Sequence, residues 1–459
     1  MRKLVLLGLV QALLLLSGCG GGGSGSVVTP TSNNGSGGGN QVPNAITMVV
    51  DSGPNGNDVD TPFISVTVCA PGSTANCQQI DHVEVDTGSY GLRIMSSVLS
   101  SSLAAAFRQE ESTNGNSVVE CTEFADGFSW GPVKIADVRI AGEAASIVPI
   151  QVIGDPAYAP PPSTAGGVSP EIPTACSSNA PEEDTVKSFG ANGIIGIGVL
   201  AADCPSCAQA VSSGNNPGYY YECPASTWSP NNPCNPIQIS QTAQVTDPVT
   251  LFQRDNNGVI VELQPAAEGA SSDTGTLMFG IGTEGNNSLG AQTVFTASVP
   301  YGNITTTYTA QDGTQLVLPY SYFDTGSNAY YFTDDRIPST LSCSHYGGYN
   351  SQQPDSWFCP SSELSLLATN TGLNGAQSPV QFSIGNAYTV FGSHPSGTVF
   401  DDLGASSGSQ DGNCASASTA SGSLDCAFDF GFPFFLGKSV YIAFVGANTS
   451  WGTGPYIAY

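Results

Sequence analysis

The chain has 459 residues, with 10 Lys and Arg against 37 Asp and Glu, a formal net charge of −27. So acidic a surface repels nucleic acid and anionic membrane, so no nucleic-acid partner is expected. With 55 Gly, 31 Pro and only 10% charged side chains, it reads as short apolar runs broken by turns, an all-β, mainly antiparallel protein rather than a helical one.

Residues 1–18 have the form of an export signal: Arg2 and Lys3, an apolar stretch from Leu4 to Leu16, then the small Ser17 and Gly18 before Cys19. Leu16-Ser17-Gly18-Cys19 resembles the lipobox of bacterial lipoproteins, which implies acylation of Cys19 as the mature N-terminus. Gly20 in place of an Asp resembles sorting to the outer membrane. An ordinary signal peptide that happens to contain a Cys is the bland alternative. The Gly-, Ser- and Asn-rich segment 19–44 suits a tether that holds a folded body off a membrane. The expected location is the bacterial cell envelope, lipid-anchored, on the periplasmic or surface face of the outer membrane.

Of the 13 Cys, setting Cys19 aside leaves an even number, as a disulfide framework in an oxidising compartment requires. Cys69/Cys77, Cys343/Cys359 and Cys414/Cys426 are close enough to staple local loops, while the partners of Cys121, Cys176, Cys204, Cys207, Cys223 and Cys234 stay open. Cys204-Pro205-Ser206-Cys207 has C-x-x-C spacing, but no βαβ pattern surrounds it, so a disulfide is expected rather than a redox or zinc site.

Apolar, β-prone runs predict strands at 46–50, 63–68, 83–85, 133–140 and 146–153, and again at 259–263, 276–281, 316–323, 330–332, 380–384 and 439–445. Helix signal is sparse: Ser96 to Arg108 is the best candidate and Leu364 to Ala368 a short second. The stretches 156–183 and 203–246 lack periodicity and read as long surface insertions. Two lobes are expected, 45–245 and 246–459.

Asp-Thr-Gly-Ser occurs twice, at Asp86-Thr87-Gly88-Ser89 and Asp324-Thr325-Gly326-Ser327, each directly after an apolar run. A strand ending in a tight turn presents its last side chain, and Gly88 or Gly326 lets backbone approach closely beyond it. The flanking Thr and Ser supply hydroxyls that can fix the carboxylate and brace the turn. Taken singly, each Asp could simply cap a β-turn. Facing each other, one from each lobe, the two carboxyls would share a proton, one acting as general base on water and the other as acid toward a carbonyl oxygen. Such chemistry needs no metal and no cofactor.

In these features the chain resembles the pepsin-like aspartic peptidases. Phe124-Ala125-Asp126-Gly127 is similar to the tip of that family's substrate-covering flap, and Asn192 to Gly198 to the segment threading behind the first catalytic turn. Gly275 to Gly280 resembles the strand opening the second lobe, and Gly431 to Phe435 with Val440 to Phe444 the partner of the second turn. The resemblance runs from about residue 60 to the end. It implies a bilobal double β-barrel with a cleft between lobes, Asp86 and Asp324 as the catalytic pair, Thr87 and Thr325 bracing the turns, Ser89 and Ser327 hydrogen-bonding the carboxylates, and a polypeptide substrate cut by a monomer. A closer relation to a group of bacterial lipoproteins is also suggested. Two positions depart from the family: Phe124 stands where a Tyr hydroxyl is usual at the flap, and Arg93 where a Trp is usual. These departures keep open a non-catalytic lipoprotein that uses the cleft to hold a polypeptide or glycan, or a purely structural envelope protein.

Other patterns carry less. Gly280-Ile281-Gly282-Thr283-Glu284-Gly285 matches a dinucleotide fingerprint but leads into Asn286-Asn287-Ser288 rather than a helix. His82, His345 and His394 have no nucleophile-elbow Ser to serve. Asp51, Asn55, Asp58 and Asp60 lack calcium-loop spacing and read as turn residues.

Overall fold

The structure is a computed structural model that describes residues 44–125, 127–159, 172–173, 176, 180–224, 233–339, 357–407 and 426–459. The export signal, Cys19, nearly all of the tether and Asp126 lie outside the described residues.

The chain folds as a bilobal, mainly antiparallel double β-barrel. Both halves contribute to a central sheet. Ala45–Val50 pairs antiparallel with Asp273–Phe279, which pairs with Gly258–Leu263, which in turn pairs with Ser439–Ala443. Period-2 alternation explains why these segments are strands: in Pro62–Cys69 the aliphatic Val66 and Val68 are fully buried while Thr67 between them is not.

The cores of the lobes differ in kind. Around the first turn the core is aliphatic, with Val83, Val85, Leu92, Ile94, Ile195 and Ile197 all fully buried. Around the second it is aromatic: Phe428 stacks on Phe430 at 4.3 Å and Phe323 on Phe430 at 5.0 Å between ring centroids. Rigid, close-packed rings therefore hold the strand that delivers Asp324.

Three expectations are corrected. Ser96 to Arg108 is not one helix but a 3-10 turn at Ser96–Val98, a single α-turn at Ser101–Ala104 and a strand at Arg108–Gln109. The Ser100 side chain accepts from Leu103 N and caps the second turn, so the run restarts rather than continues. Leu364–Thr371 is a strand, paired along its length with Gln377–Ile384. Its Leu364, Leu366 and Ala368 point inward at period 2, which a helix cannot satisfy. The 203–246 stretch is not wholly a surface loop, because Tyr220–Cys223 adds a strand to Ser117–Glu123 and buries Tyr220 and Tyr221.

Cys69 bonds Cys77 as the spacing suggested, and Cys204 bonds Cys207. The open pairings resolve as Cys121–Cys176 and Cys223–Cys234. Cys359 and Cys426 are also disulfide-bonded; Cys343 and Cys414, their expected partners, lie outside the described residues.

Candidate active site

Asp86 ends the strand Cys77–Asp86, and Asp324 directly follows Gln315–Phe323. Behind each runs a parallel strand from elsewhere in its lobe, Gly193–Ile197 behind the first and Asp429–Phe430 behind the second. Both turns close alike: Gly88 N donates to Asp86 Oδ1 at 2.7 Å, and Gly326 N to Asp324 Oδ1 at 2.8 Å.

The two turns also grip each other. Thr87 N donates to Thr325 Oγ1 at 3.1 Å and Thr325 N to Thr87 Oγ1 at 3.0 Å. Each hydroxyl then donates across the interface, Thr87 Oγ1 to Phe323 O at 2.9 Å and Thr325 Oγ1 to Val85 O at 2.6 Å. All four bonds lie in the interior, where an unmade partner costs roughly 1–3 kcal/mol. Thr325→Val, which keeps shape but strands Thr87 N and Val85 O, is expected to lower the melting temperature by several degrees, with Thr325→Ser restoring most of the loss. Calorimetry decides it, and equal melting of the Val and Ser variants would remove the bracing role.

The grip brings the carboxyls together. Asp86 is 6% exposed and Asp324 2%, and the two side chains are within hydrogen-bonding reach of each other. A Cβ at Gly88 would sit 2.4 Å from Asp324 Cγ, and one at Gly326 2.7 Å from Asp86 Cγ. Only glycine fits either place, because each turn passes directly against the opposite carboxyl. Burial, then the facing Asp86 and then Asp429, push the Asp324 carboxyl well above the ordinary range, against a smaller opposing effect of Ser327. The pair therefore holds a proton between two acids.

The two serines part company. Ser327 Oγ bonds Asp324 Oδ2 at 2.7 Å, as expected. Ser89 does not reach Asp86: its Oγ is buried with no hydrogen-bond partner. The difference comes from the strand behind. In the second lobe Asp429 stands opposite Tyr322 and engages Ser327, whereas the matching place in the first lobe holds Ile194, opposite Glu84.

The hairpin Ser117–Glu123 and Phe128–Ile140 reaches over this floor, its tip closed by Phe124 N donating to Gly127 O at 2.8 Å. Phe124 lies edge-on to Phe189, ring centroids 5.7 Å apart, so the position without a hydroxyl is an apolar contact. Gly127 is required there, since a Cβ would meet Glu183 Cγ at 2.6 Å. Hairpin tip, dyad and second turn enclose a cavity of ≈ 180 Å³. Among the described residues five carboxyls (Glu84, Asp86, Glu123, Glu183 and Asp324) line it, and no Lys or Arg does.

Arg93 is 1% exposed and ties the hairpin down. Its Nε donates to Thr122 Oγ1 at 2.9 Å, Nη1 to Tyr90 O at 2.7 Å, and Nη2 to Glu120 Oε1 at 2.7 Å and Asp203 Oδ2 at 3.0 Å. Thr122 and Glu120 belong to the hairpin, and Tyr90 directly follows the first turn. Burial and the adjacent Glu120 raise Asp203 well above the usual range even with Arg93 beside it, so one cation serves two acids and a proton. Arg93→Met leaves both acids without their cation, and loss of one buried partner costs about 3–5 kcal/mol. Melting at pH 7 should fall sharply and proteolytic nicking near residue 125 should speed up. Adding Glu120→Gln and Asp203→Asn should recover much of the loss; no recovery would mean that packing, not charge, is what Arg93 supplies.

Glu120, Asp203, Tyr322 and Asp429 were not singled out from the sequence. One signal was available: Asp429 is the lone acid in the run from Cys426 to Phe435. Among the described residues no group of His, Cys, Asp and Glu is arranged to hold a metal ion.

Among solved structures the chain is similar to the aspartic proteinase from Irpex lacteus, at 14% identity over 90% of this chain and 96% of that one, with a TM-score of 0.47. No curated protein matches it in sequence. Residues 40–459 match the family model described as a protein of unknown function, DUF3443. The chain belongs to the DUF3443 family.

Proposed function

We propose that the protein is an aspartic-type endopeptidase, carried on a lipid anchor at Cys19 in the bacterial cell envelope and acting on polypeptide. The observation that carries the reading is the buried Asp86/Asp324 pair, held face to face by reciprocally bonded turns at the floor of a cavity with a hairpin over it. Asp324, which holds the shared proton, donates it to the carbonyl oxygen of the scissile amide. Asp86 takes a proton from the attacking water and passes it to the departing amine, while the hydroxyl formed at the carbonyl oxygen returns its proton to Asp324 as the C–N bond breaks. The carboxyl lining of the cavity favours a neutral or cationic side chain over an acidic one. An apolar Phe124 in place of a hydroxyl at the hairpin tip favours the second reading, a cleft that holds polypeptide or glycan without cutting it.

The test is incubation of the mature protein with a peptide library from pH 3 to pH 7.5, beside Asp86→Asn and Asp324→Asn. Cleavage by the wild type alone supports the peptidase. Library binding without cleavage at any pH transfers the site to the second reading.

A further inference from the structure

Ser327 Oγ has two carboxylate neighbours at the same distance, Asp324 Oδ2 at 2.7 Å and Asp429 Oδ2 at 2.7 Å. A hydroxyl carries one proton. It can donate to only one of them, so the other contact requires a donor on the carboxyl side. Asp429 is placed to be that donor. It is 3% exposed, and its Oδ1 is buried with no hydrogen-bond partner. An ionised carboxylate there would be a buried charge with one oxygen bare.

We propose that Asp429 is a third, positioning acid of the site: protonated, it donates to Ser327 Oγ and so directs the Ser327 hydroxyl onto Asp324, and its ionisation sets the alkaline limit of activity. The proposal rests on the peptidase reading for its consequence, but the contacts of Ser327 Oγ with Asp324 and Asp429 stand on geometry alone. Once Asp429 loses its proton it competes for the Ser327 hydrogen. Asp324 then loses its donor and gains a second negative neighbour.

The groups facing Asp429 agree with this. Tyr322 and Asp324 approach from Gln315–Phe323 and its turn, Asp86 from the opposite turn, and Tyr331 is its register partner on Tyr330–Tyr331, with that hydroxyl donated to Asn328. These described neighbours are acids and phenols. Burial foremost pushes Asp429 up to about 8, with Ser327 and Tyr322 pulling the other way, so it keeps its proton at neutral pH. Asp429 occupies the place that Ile194 takes in the first lobe, so the chain is one-sided and singles out Asp324.

The experiment compares pH–rate profiles of the wild type, Asp429→Asn, Ser327→Ala and the double variant. The Asn amide donates to Ser327 Oγ at every pH, so Asp429→Asn is expected to move the alkaline limb up by about one pH unit. In the Ser327→Ala background the same substitution should move the limb less, because the hydroxyl is gone and only the direct charge of Asp429 on Asp324 remains. An unmoved limb in Asp429→Asn, or an equal movement with and without Ser327, overturns the proposal.

A second arm needs no turnover: 13C-carboxyl NMR of aspartate-labelled protein. The Asp324 signal should show a step as Asp429 ionises, and Asp429→Asn should abolish it. That step in a protein that cleaves nothing would retire the peptidase reading and keep the relay. Cleavage without the step would do the reverse.

Discussion

Asp86→Asn and Asp324→Asn are each expected to lower peptide cleavage by a factor of 10³ or more while leaving the protein more stable at neutral pH. The activity loss follows from the division of labour. With one carboxamide in the pair, either the base or the acid is missing, and such steps contribute about 10²–10⁴ each and are not additive. The stability gain follows from burial: two acids facing each other at 6% and 2% exposure are costly to keep at pH 7. An Asn in one place removes a titrating group, keeps its shape and offers an N–H to the remaining carboxylate. Loss of activity together with a higher melting temperature is the signature of a strained functional pair. Unchanged cleavage would remove the dyad from the mechanism, and a lower melting temperature would make the two acids structural.

The protein is also expected to be most stable in mild acid and to lose on the order of 10 °C in melting temperature between pH 4.5 and pH 8.5. Burial is the leading cause in each of six acids. It raises Asp60, Asp203, Asp247 and Asp324 well above the usual range, Asp402 to about 7 and Asp429 to about 8. In the unfolded chain these groups ionise near pH 4. Between there and their folded values the native protein binds more protons than the unfolded one, so stability falls as pH rises. Each tenfold difference in proton affinity is worth about 1.4 kcal/mol. Proteins whose acids are held by salt bridges show the opposite slope.

The excess of acidic over basic residues adds self-repulsion in the same direction, but salt screens that part and leaves the buried groups untouched. Calorimetry in 0.5 M salt at the two pH values separates the two. A flat or rising melting temperature in salt would mean that the buried acids are paired well enough to ionise freely.

Local patterns in the chain determined much of this protein. Strands such as Pro62–Cys69 and Gly258–Leu263 are visible because period-2 burial is written in consecutive residues. The two Asp-Thr-Gly-Ser turns were legible for the same reason, since a strand end, an acid and a glycine make a turn without outside help. The nearby Cys69 and Cys77 could be paired by proximity in sequence. Leu364–Thr371 went the other way: its Leu-rich run suits either helix or strand until a neighbour, Gln377–Ile384, supplies the hydrogen bonds.

Only the tertiary structure decided which side chains meet across long separations. Ser89 and Ser327 follow identical motifs, yet one is bonded to its carboxyl and the other is not, because Asp429 arrives beside only one of them. Arg93 reads as a missing aromatic until Glu120 and Asp203 close around it. A motif specifies the turn it makes, since the forces that shape a turn act over a few bonds. The proton affinity of its acid depends on burial and on charges brought within a few ångströms by the rest of the fold, and no local pattern encodes those.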